Sequence, residues 1–384
     1  MLPFNRPYIS GKEATYLAEA MESGRLEGDG PFTQRCQDWL RRWSGAEAVL
    51  LTHSCTAALE LAALLLELKS GDEVIMPSYT FVSTANAFAL RGAVPVFVDI
   101  RADTLNLDER VVDAAVSPRT RAIVAVHYAG VACEMDVLAQ VAQRHGLMLI
   151  EDAAQGLLAS YHGRPLGAIG QLGAISFHAT KNVVSGEGGA LLINDASLTE
   201  RAEVIREKGT DRKRFLRGEV DKYTWQALGS SFLPSELTAA FLAAQLDVAE
   251  TITAGRMRIW QRYHEELEPL ERAGVLTRPS IPSGCAHNAH MYYICLGQGL
   301  IREQFIKALR ELGIQAASHY EPLHNSPAGR RFGRSVGSLS VTEDLSGRIV
   351  RLPLWMGLQD ADVEQVVGSV RMAVGKVGSV RAVR

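Results

Sequence analysis

From about residue 45 to residue 195, short apolar runs alternate with segments of helical periodicity, and this alternation constrains the fold more than any other feature. The apolar runs are Ala48–Leu51, Glu73–Met76, Val94–Val98, Ala122–Val126, Leu147–Ile150, Ala174–Phe177 and Gly189–Ile193. The helical patterns between them are Thr56–Leu68, Phe81–Leu90, Asp108–Val116 and Asp136–His145. Such runs are typical of parallel strands that are buried on both faces. The pattern therefore predicts an α/β fold with a mostly parallel central sheet sandwiched by helices.

The pattern changes after Asp195, which indicates a second and smaller unit. Helices are predicted at Leu198–Lys208, Ser235–Leu270 (one long helix or a pair), Arg302–Leu312 and Val363–Val374. Together with the segments Met291–Leu296 and Gln315–Ser318, the later helices suggest an α+β unit. A chain of 384 residues exceeds what one compact core usually holds. We predict a large domain over residues 1–250 and a smaller C-terminal α+β domain over residues 251–384. A helix at residues 11–24 is expected to pack toward the smaller domain.

Composition argues against several classes of protein. The formal net charge of −3 gives no general attraction to nucleic acid or anionic membranes. The longest apolar stretch, Thr56–Leu68, is interrupted by Glu60 and Glu67, and the first residues lack the apolar core of a signal peptide. The five cysteines never form a Cys-x-x-Cys pair, which favours reduced thiols over a zinc site or disulfides. We expect a cytoplasmic protein without membrane insertion, nucleic-acid partner or metal site.

Polar residues follow several of the predicted strands, where sheets of this kind bind ligands. They are Ser54–Thr56, Pro77–Phe81, His127–Tyr128, Asp152–Gln155 and Lys181. Lys181 is followed by a glycine-rich turn at Gly186–Gly189. A lysine amine can form a Schiff base with the aldehyde of pyridoxal 5′-phosphate, and a carboxylate such as Asp152 can keep the pyridine nitrogen protonated. Each residue alone is better explained as a solvated lysine or a helix N-cap, but together they favour this cofactor.

Four other features suit the same cofactor. The strand-to-helix junction Thr52–Ala58 offers an anion site at a helix N-terminus, with Thr56 and Ala57 as donors to the phosphate. Further candidates are Ser176 for the phosphate, Phe81 or Tyr79 for stacking on the ring, and Gln155 for the ring hydroxyl. A helix cap, a core serine and a core aromatic residue are the alternatives. Neither a Gly-x-Gly-x-x-Gly after a strand nor a Walker A sequence occurs, which argues against nucleotide-driven hydride or phosphoryl transfer.

Taken together, these residues resemble the DegT/DnrJ/EryC1/StrS sugar aminotransferases, which have the fold type I of pyridoxal 5′-phosphate-dependent transferases. The matching stretches extend nearly from end to end: Gly28–Gly30, Leu50–Thr56, Met76–Asn86, His127–Asp136, Glu151–Gln155, Ser176–Lys181, Gly186–Gly189, Val220–Trp225 and His319–His324. Within the family, the likeness is greatest to members that make dTDP-4-amino-4,6-dideoxy-D-galactose from dTDP-4-keto-6-deoxy-D-glucose and L-glutamate. Those members serve surface-polysaccharide synthesis, such as that of enterobacterial common antigen.

The resemblance implies a role for each candidate residue. Lys181 is the Schiff-base lysine, Asp152 pairs with the pyridinium nitrogen, Gln155 lies beside the ring hydroxyl, Phe81 stacks on the ring, and Thr56, Ala57 and Ser176 hold the phosphate. It also implies a homodimer with shared active sites. In most members an asparagine in a Leu–Gly–x–Asn pattern reaches the phosphate from the second subunit, and here Ser231 takes that place.

Substrate contacts are expected at residues that differ from the cofactor residues. Candidates for the nucleotide diphosphate are Arg212, Arg214 and Arg217, in the polar segment Gly209–Lys222, for which a solvated charged loop is the alternative. His319 and Tyr320 are candidates for the sugar.

Two other functions remain open at this point. A sugar dehydratase of the same family carries histidine in place of the lysine, and the presence of Lys181 argues against it. A catalytically silent regulatory homologue is disfavoured because Lys181, Asp152 and Gln155 are all present. Turnover that depends on an amino donor would distinguish an aminotransferase from the dehydratase. A visible absorption spectrum would show whether the cofactor is bound, which tests the silent homologue.

Overall fold

The computed structural model describes residues 1–379. Its strands are β1 (Ala48–Thr52), β2 (Glu73–Pro77), β3 (Val94–Val98), β4 (Thr120–Val126), β5 (Met148–Asp152), β6 (Ser160–Tyr161), β7 (Arg164–Pro165), β8 (Leu172–Ser176), β9 (Gly189–Ile193), β10 (Leu276–Thr277), β11 (Cys285–Ala286), β12 (Tyr292–Leu296), β13 (Arg334–Ser335) and β14 (Ile349–Leu352).

The helices are α1 (Glu13–Glu22), α2 (Pro31–Ser44), α3 (Cys55–Leu65), α4 (Val82–Ala89), α5 (Glu109–Ala115), α6 (Met135–His145), α7 (Thr199–Arg206), α8 (Arg212–Leu216), α9 (Glu236–Leu246), α10 (Ala249–Glu266), α11 (Glu268–Arg272), α12 (Arg302–Glu311), α13 (Pro327–Phe332), α14 (Ser340–Ser346) and α15 (Asp360–Ser379). Within residues 1–379, no helix combines the length and the apolar character needed to cross a membrane.

An eight-stranded sheet forms the centre, in the order β1–β9–β8–β5–β4–β2–β3–β13. All neighbouring strands are parallel except β9, which runs antiparallel to β1 and β8. Side chains alternate along each strand, so Ile75 packs in one apolar layer while Val74 and Met76 pack in the other. Helices α2, α6 and α9 cover the first layer, and α3, α4 and α7 cover the second. The predicted parallel sheet between two helical layers is confirmed.

A second core surrounds the antiparallel sheet β10–β12–β14. Helices α10, α12 and α15 contribute Ile259, Phe305 and Val366 to it, among others. The segment Ser235–Leu270 forms the predicted helix pair, because the chain breaks at Asp247–Val248. Part of the C-terminal region rests on the large sheet, since β13 pairs with β3 and Leu323 packs in the second layer of the large core. The boundary at residue 250 therefore stays a prediction.

The N-terminal helix packs differently from the expectation. Helix α1 contacts α9, whose residues belong to the large core. The buried Glu13 carboxylate accepts from Gln245 Nε2 at 2.6 Å and from the N–H groups of Ser10 and Gly11, so its polar group is satisfied on this side. Only the first residues reach the smaller core, where the Leu2 N–H donates to the Gly313 carbonyl at 2.7 Å.

Candidate active site

A cavity of ≈ 650 Å³ opens beyond the carboxyl ends of the parallel strands and is closed on its far side by residues of the smaller core. Eight of the predicted site residues line it: Thr56, Phe81, Asp152, Gln155, Ser176, Lys181, His319 and Tyr320. Ala57 is buried behind this surface. Ser231, Arg212, Arg214 and Arg217 do not line the cavity. The fold therefore brings together side chains that are more than a hundred residues apart in the sequence.

Lys181 lies in the tight turn that follows β8, where its N–H donates to the His178 carbonyl at 2.9 Å. Burial lowers the pKa of its amine, and the positive charge of Arg351 adds to this effect, while Cys55 and Asp152 oppose it. A lysine with a lowered pKa has more of its unprotonated, nucleophilic form at neutral pH. The environment of Lys181 is therefore suited to attack on a carbonyl.

Asp152 ends β5, and its carboxylate faces the cavity. Its Oδ2 accepts from Thr84 Oγ1 at 2.6 Å, and its Oδ1 accepts from the Ala154 N–H at 3.2 Å. Thr84 in turn lies 2.8 Å from the Thr80 hydroxyl. The two donors fix the orientation of the carboxylate. Sequence reasoning missed Thr84, because nothing distinguishes a threonine in the first turns of a helix from a residue of the core.

The neighbouring Glu151 points away from the cavity, as alternation along a strand requires. Its carboxylate accepts from the N–H groups of Gly167, Ile169 and Gly170 at 2.6–2.8 Å and lies 2.8 Å from His127 Nε2. His127 Nδ1 accepts from the Cys133 N–H, so Nε2 carries the proton that reaches Glu151. Of the two adjacent carboxylates, Asp152 is thus the one available to a ligand.

The predicted phosphate site is the junction between β1 and α3. Ser54 caps the helix, and its Oγ accepts from the Ala57 N–H at 3.0 Å. That N–H is already bonded, which leaves the Thr56 hydroxyl, 2.8 Å from the Ser83 hydroxyl, on the cavity side. Strand β9 approaches this turn so closely that a Cβ on Gly189 would lie 2.4 Å from Cys55 N. Only glycine fits there, and the helix N-terminus favours an anion.

Aromatic side chains form a further part of the cavity wall. Phe81 is 55% exposed and lines the cavity, whereas Tyr79 is 1% exposed and packs in a separate cluster with Tyr128. Of the two stacking candidates, the structure places Phe81 on the cavity wall. Gln155 Oε1 accepts from the Ala129 N–H at 2.6 Å, and Gln155 Nε2 donates to Tyr320 Oη at 3.1 Å.

His319 and Tyr320 lie side by side in this wall, with ring centroids 3.6 Å apart. His319 Nδ1 is 2.7 Å from Tyr128 Oη. Burial lowers the pKa of His319 well below its ordinary value, and the charges of Arg351 and Lys181 add to this, so its ring is neutral. Two of the matching stretches, His127–Asp136 and His319–His324, therefore meet at the cavity.

Two arginines of the smaller core also line the cavity, and sequence reasoning missed both. Arg256 is 4% exposed, and it donates to the carbonyls of Ala289 at 3.0 Å and His290 at 2.6 Å. Its burial lowers its pKa to about 9. Arg351 donates to the Ser318 carbonyl at 3.1 and 3.3 Å. No local pattern marks either residue, because the fold alone brings α10 and β14 to the cavity.

The arginines of residues 209–222 have different surroundings. The predicted polar loop contains the short helix α8, and each of these arginines meets a carboxylate: Arg212 with Glu207, Arg214 with Glu219, and Arg217 with Glu203 and Glu219, at 2.6–3.3 Å. Ser231 and Arg212 line a separate hollow of ≈ 400 Å³ together with Gly28. Their role in binding a ligand stays a prediction.

Known proteins match this chain over nearly its whole length. The family model described as "DegT/DnrJ/EryC1/StrS aminotransferase family" matches residues 7–371. The chain is 35% identical over 378 residues to the spore coat polysaccharide biosynthesis protein SpsC of Bacillus subtilis, covering 96% of each chain. It is 32% identical over 366 residues to the GDP-perosamine synthase of Caulobacter vibrioides, covering 95% of this chain and 96% of that one. The crystal structure of the aminotransferase TlmJ from Streptoalloteichus hindustanus superposes with a TM-score of 0.90 at 31% identity, covering 98% and 100%.

Proposed function

This chain belongs to the DegT/DnrJ/EryC1/StrS aminotransferase family, and we propose that it transfers the amino group of L-glutamate to C4 of dTDP-4-keto-6-deoxy-D-glucose. The product is dTDP-4-amino-4,6-dideoxy-D-galactose, for surface polysaccharide such as enterobacterial common antigen. The enzyme is a pyridoxal 5′-phosphate-dependent aminotransferase. The observation that carries the proposal is one cavity that holds Lys181, Asp152 and the N-terminus of α3 together.

The residues of the cavity fit the cofactor. Its volume of ≈ 650 Å³ lies within the range of about 300–1,000 Å³ that small-molecule sites occupy. Lys181 would hold the aldehyde carbon, and the hydroxyls of Thr56 and Ser176 with the N-terminus of α3 would hold the phosphate. Gly189 lets β9 pack directly against the turn that carries Thr56, because an added Cβ would lie 2.4 Å from Cys55 N. When bound, pyridoxal 5′-phosphate supplies an aldehyde that exchanges amines and a ring that accepts electrons.

The chain's own residues would then transfer the proton of the amino donor and shield the reacting group from water. Lys181 Nζ, with its lowered pKa, is suited to take the proton from the α-carbon of the donor and to return one at the acceptor carbon. Asp152, held by Thr84 and the Ala154 N–H, faces the cavity with a carboxylate that would pair with a protonated ring nitrogen. Phe81 and Tyr320, with ring centroids 6.1 Å apart, would cover the reacting group and exclude water.

The choice of a nucleotide-linked sugar is supported by the relatives. The names of two of them refer to a GDP-sugar and to a spore coat polysaccharide. They do not distinguish one nucleotide from another. The dTDP-linked 4-keto sugar is proposed from the matching stretches His127–Asp136 and His319–His324, which meet through the Tyr128–His319 contact at the cavity.

We also propose a homodimer in which each chain completes its partner's site with Ser231 and residues 209–222. Large apolar side chains near Ser231 are exposed, with Trp225 at 75% and Leu228 at 64%. An exposed apolar patch of this kind is typical of a protein interface. Two inactive variants, one in the cavity and one in this segment, should regain activity when their chains mix.

A product assay tests the substrate directly. The purified enzyme is incubated with L-glutamate and each of the dTDP-, UDP- and GDP-linked 4-keto-6-deoxy hexoses, and product stereochemistry is read by NMR. We expect an axial amine at C4 of the dTDP-sugar, and a poorer UDP substrate, because thymine carries a methyl group and its deoxyribose lacks the 2′-hydroxyl. Amination at C3, an equatorial C4 amine or a preference for UDP or GDP would overturn the substrate while leaving the aminotransferase activity standing.

A further inference from the structure

Arg351 is a cavity-lining cation whose contacts are all with neutral groups. It lies in β14, and both its Nε and its Nη2 donate to the Ser318 carbonyl, at 3.3 and 3.1 Å. Its guanidinium carbon Cζ lies over the ring of Phe4, 4.8 Å from the ring centroid. Across residues 1–379, Arg351 has no carboxylate within ion-pair distance, and its Nη1 has no acceptor. The side chain is thus held in place while one edge is left for a ligand.

Its position is electrostatically coupled to the reacting amine. Burial lowers the pKa of Arg351, and no carboxylate of residues 1–379 lies within ion-pair distance to oppose this effect. The same charge contributes to the lowered pKa values of Lys181 and His319. Placing a cation in such surroundings costs free energy unless a ligand supplies the opposite charge. An anionic group of a substrate, bound close to Lys181, would supply it.

We propose that Arg351 binds a carboxylate of the amino donor L-glutamate, and of the 2-oxo acid that it becomes, an inference that rests on the proposed aminotransferase function. The α-carboxylate is attached to the same carbon as the amino nitrogen, which must reach the place of Lys181 Nζ. The diphosphate of a sugar nucleotide is instead separated from C4 by the sugar ring. A planar guanidinium matches the two oxygens of a carboxylate.

Arg256 is not assigned this role, although it too lines the cavity. Its Nε and Nη2 donate to two successive carbonyls, those of Ala289 and His290. It therefore fixes the chain that leads into β12. Its charge is more deeply buried than that of Arg351, and its contacts are those of a structural residue.

The two half-reactions of the enzyme separate a donor contact from a sugar contact. Arg351→Gln and Arg351→Lys holoenzymes are mixed with L-glutamate alone, and conversion of the cofactor is followed by its visible absorption. We expect the glutamate concentration for half-maximal rate to rise roughly ten- to hundredfold in Arg351→Gln, and less in Arg351→Lys, which keeps the charge without the fork. In the second half-reaction the enzyme with aminated cofactor reacts with the keto-sugar nucleotide. Both variants should keep the wild-type affinity for this sugar nucleotide.

The control is Arg348→Gln, which removes an arginine just before β14 that pairs with Asp344 and does not line the cavity. It should leave both half-reactions unchanged. Thermal unfolding checks that Arg351→Gln is folded. If the affinity for the sugar falls instead, or both half-reactions fall equally, or neither changes, Arg351 is not the donor carboxylate site.

Binding of glutarate, a dicarboxylate without an amine, gives a readout that does not depend on turnover. Calorimetric titration of the holoenzyme should show weaker glutarate binding to Arg351→Gln than to the wild type and to Arg348→Gln. Equal binding by all three would overturn the proposal. If the wild type binds glutarate in this Arg351-dependent way but aminates no sugar nucleotide, the proposed function fails while the carboxylate site stands.

Discussion

Arg351 and the arginines of residues 209–222 lie in opposite electrostatic surroundings. Arg212, Arg214 and Arg217 form a dense cluster in the sequence, yet each faces a glutamate of its own chain. Arg351 stands alone in an apolar strand, and it faces a carbonyl, a phenyl ring and the cavity. A cluster of like charges in a sequence therefore does not show which of the charges are free to meet a ligand. A cavity-lining cation that keeps an unbonded edge and has no carboxylate of its own chain beside it is the stronger sign of a ligand.

The largest effect on turnover should come from a change at Asp152, whose carboxylate faces the cavity. In Asp152→Asn the side chain keeps its shape but loses the charge that would hold the ring nitrogen protonated. We expect turnover to fall about a thousandfold or more, which corresponds to several kcal/mol in the barrier, while the cofactor still binds. Single-turnover kinetics and the absorption spectrum measure the two separately. Near-normal catalysis by this variant would remove Asp152 from the mechanism.

A smaller effect on turnover is expected from a change at Thr84, whose hydroxyl Oγ1 donates to Asp152 Oδ2 at 2.6 Å. Thr84→Val keeps the shape and removes the hydroxyl, so we expect a loss of roughly tenfold in rate. Because Thr84 acts through Asp152, the isotope effect with α-deuterated glutamate should increase as proton transfer becomes slower. An unchanged isotope effect with reduced stability would show that Thr84 is only structural.

The segment at residues 209–222 can be tested by mixing chains. Lys181→Ala and Ser231→Trp chains are each expected to be inactive, but a mixed dimer would contain one intact site. Random exchange should restore about a quarter of the wild-type activity. No recovery despite proven exchange would contradict the shared site. In the same assay Arg217→Gln should change KM for the sugar nucleotide by less than about fivefold, because the charge of Arg217 is already shared between Glu203 and Glu219 and only part of it is free for a diphosphate.

Most of the cavity residues that could be predicted from the sequence follow the carboxyl ends of predicted strands. Lys181, Asp152 and Gln155 were placed correctly at one cavity because each follows an apolar run, and parallel strands bring such ends together. The Phe81–Tyr79 alternative needed the structure, since either aromatic can point inward after β2. Their roles toward the cofactor stay predictions.

The rest depends on long-range packing that no local pattern records. Arg256 and Arg351 reach the cavity only because α10 and β14 fold over it. The Ala57 N–H was expected to meet a phosphate, but Ser54 already accepts its hydrogen bond. The packing of α1 on α9 follows from a buried Glu13–Gln245 contact between residues far apart in the chain.

Covalent trapping shows directly whether Lys181 is the residue that holds pyridoxal 5′-phosphate. The holoenzyme is reduced with borohydride, digested, and mapped by mass spectrometry. We predict the reduced cofactor on Lys181, none in Lys181→Ala, and an unchanged label in Lys69→Ala, which removes an exposed lysine that precedes β2 and does not line the cavity. A label on any other lysine of the wild-type enzyme, or none at all, would contradict it.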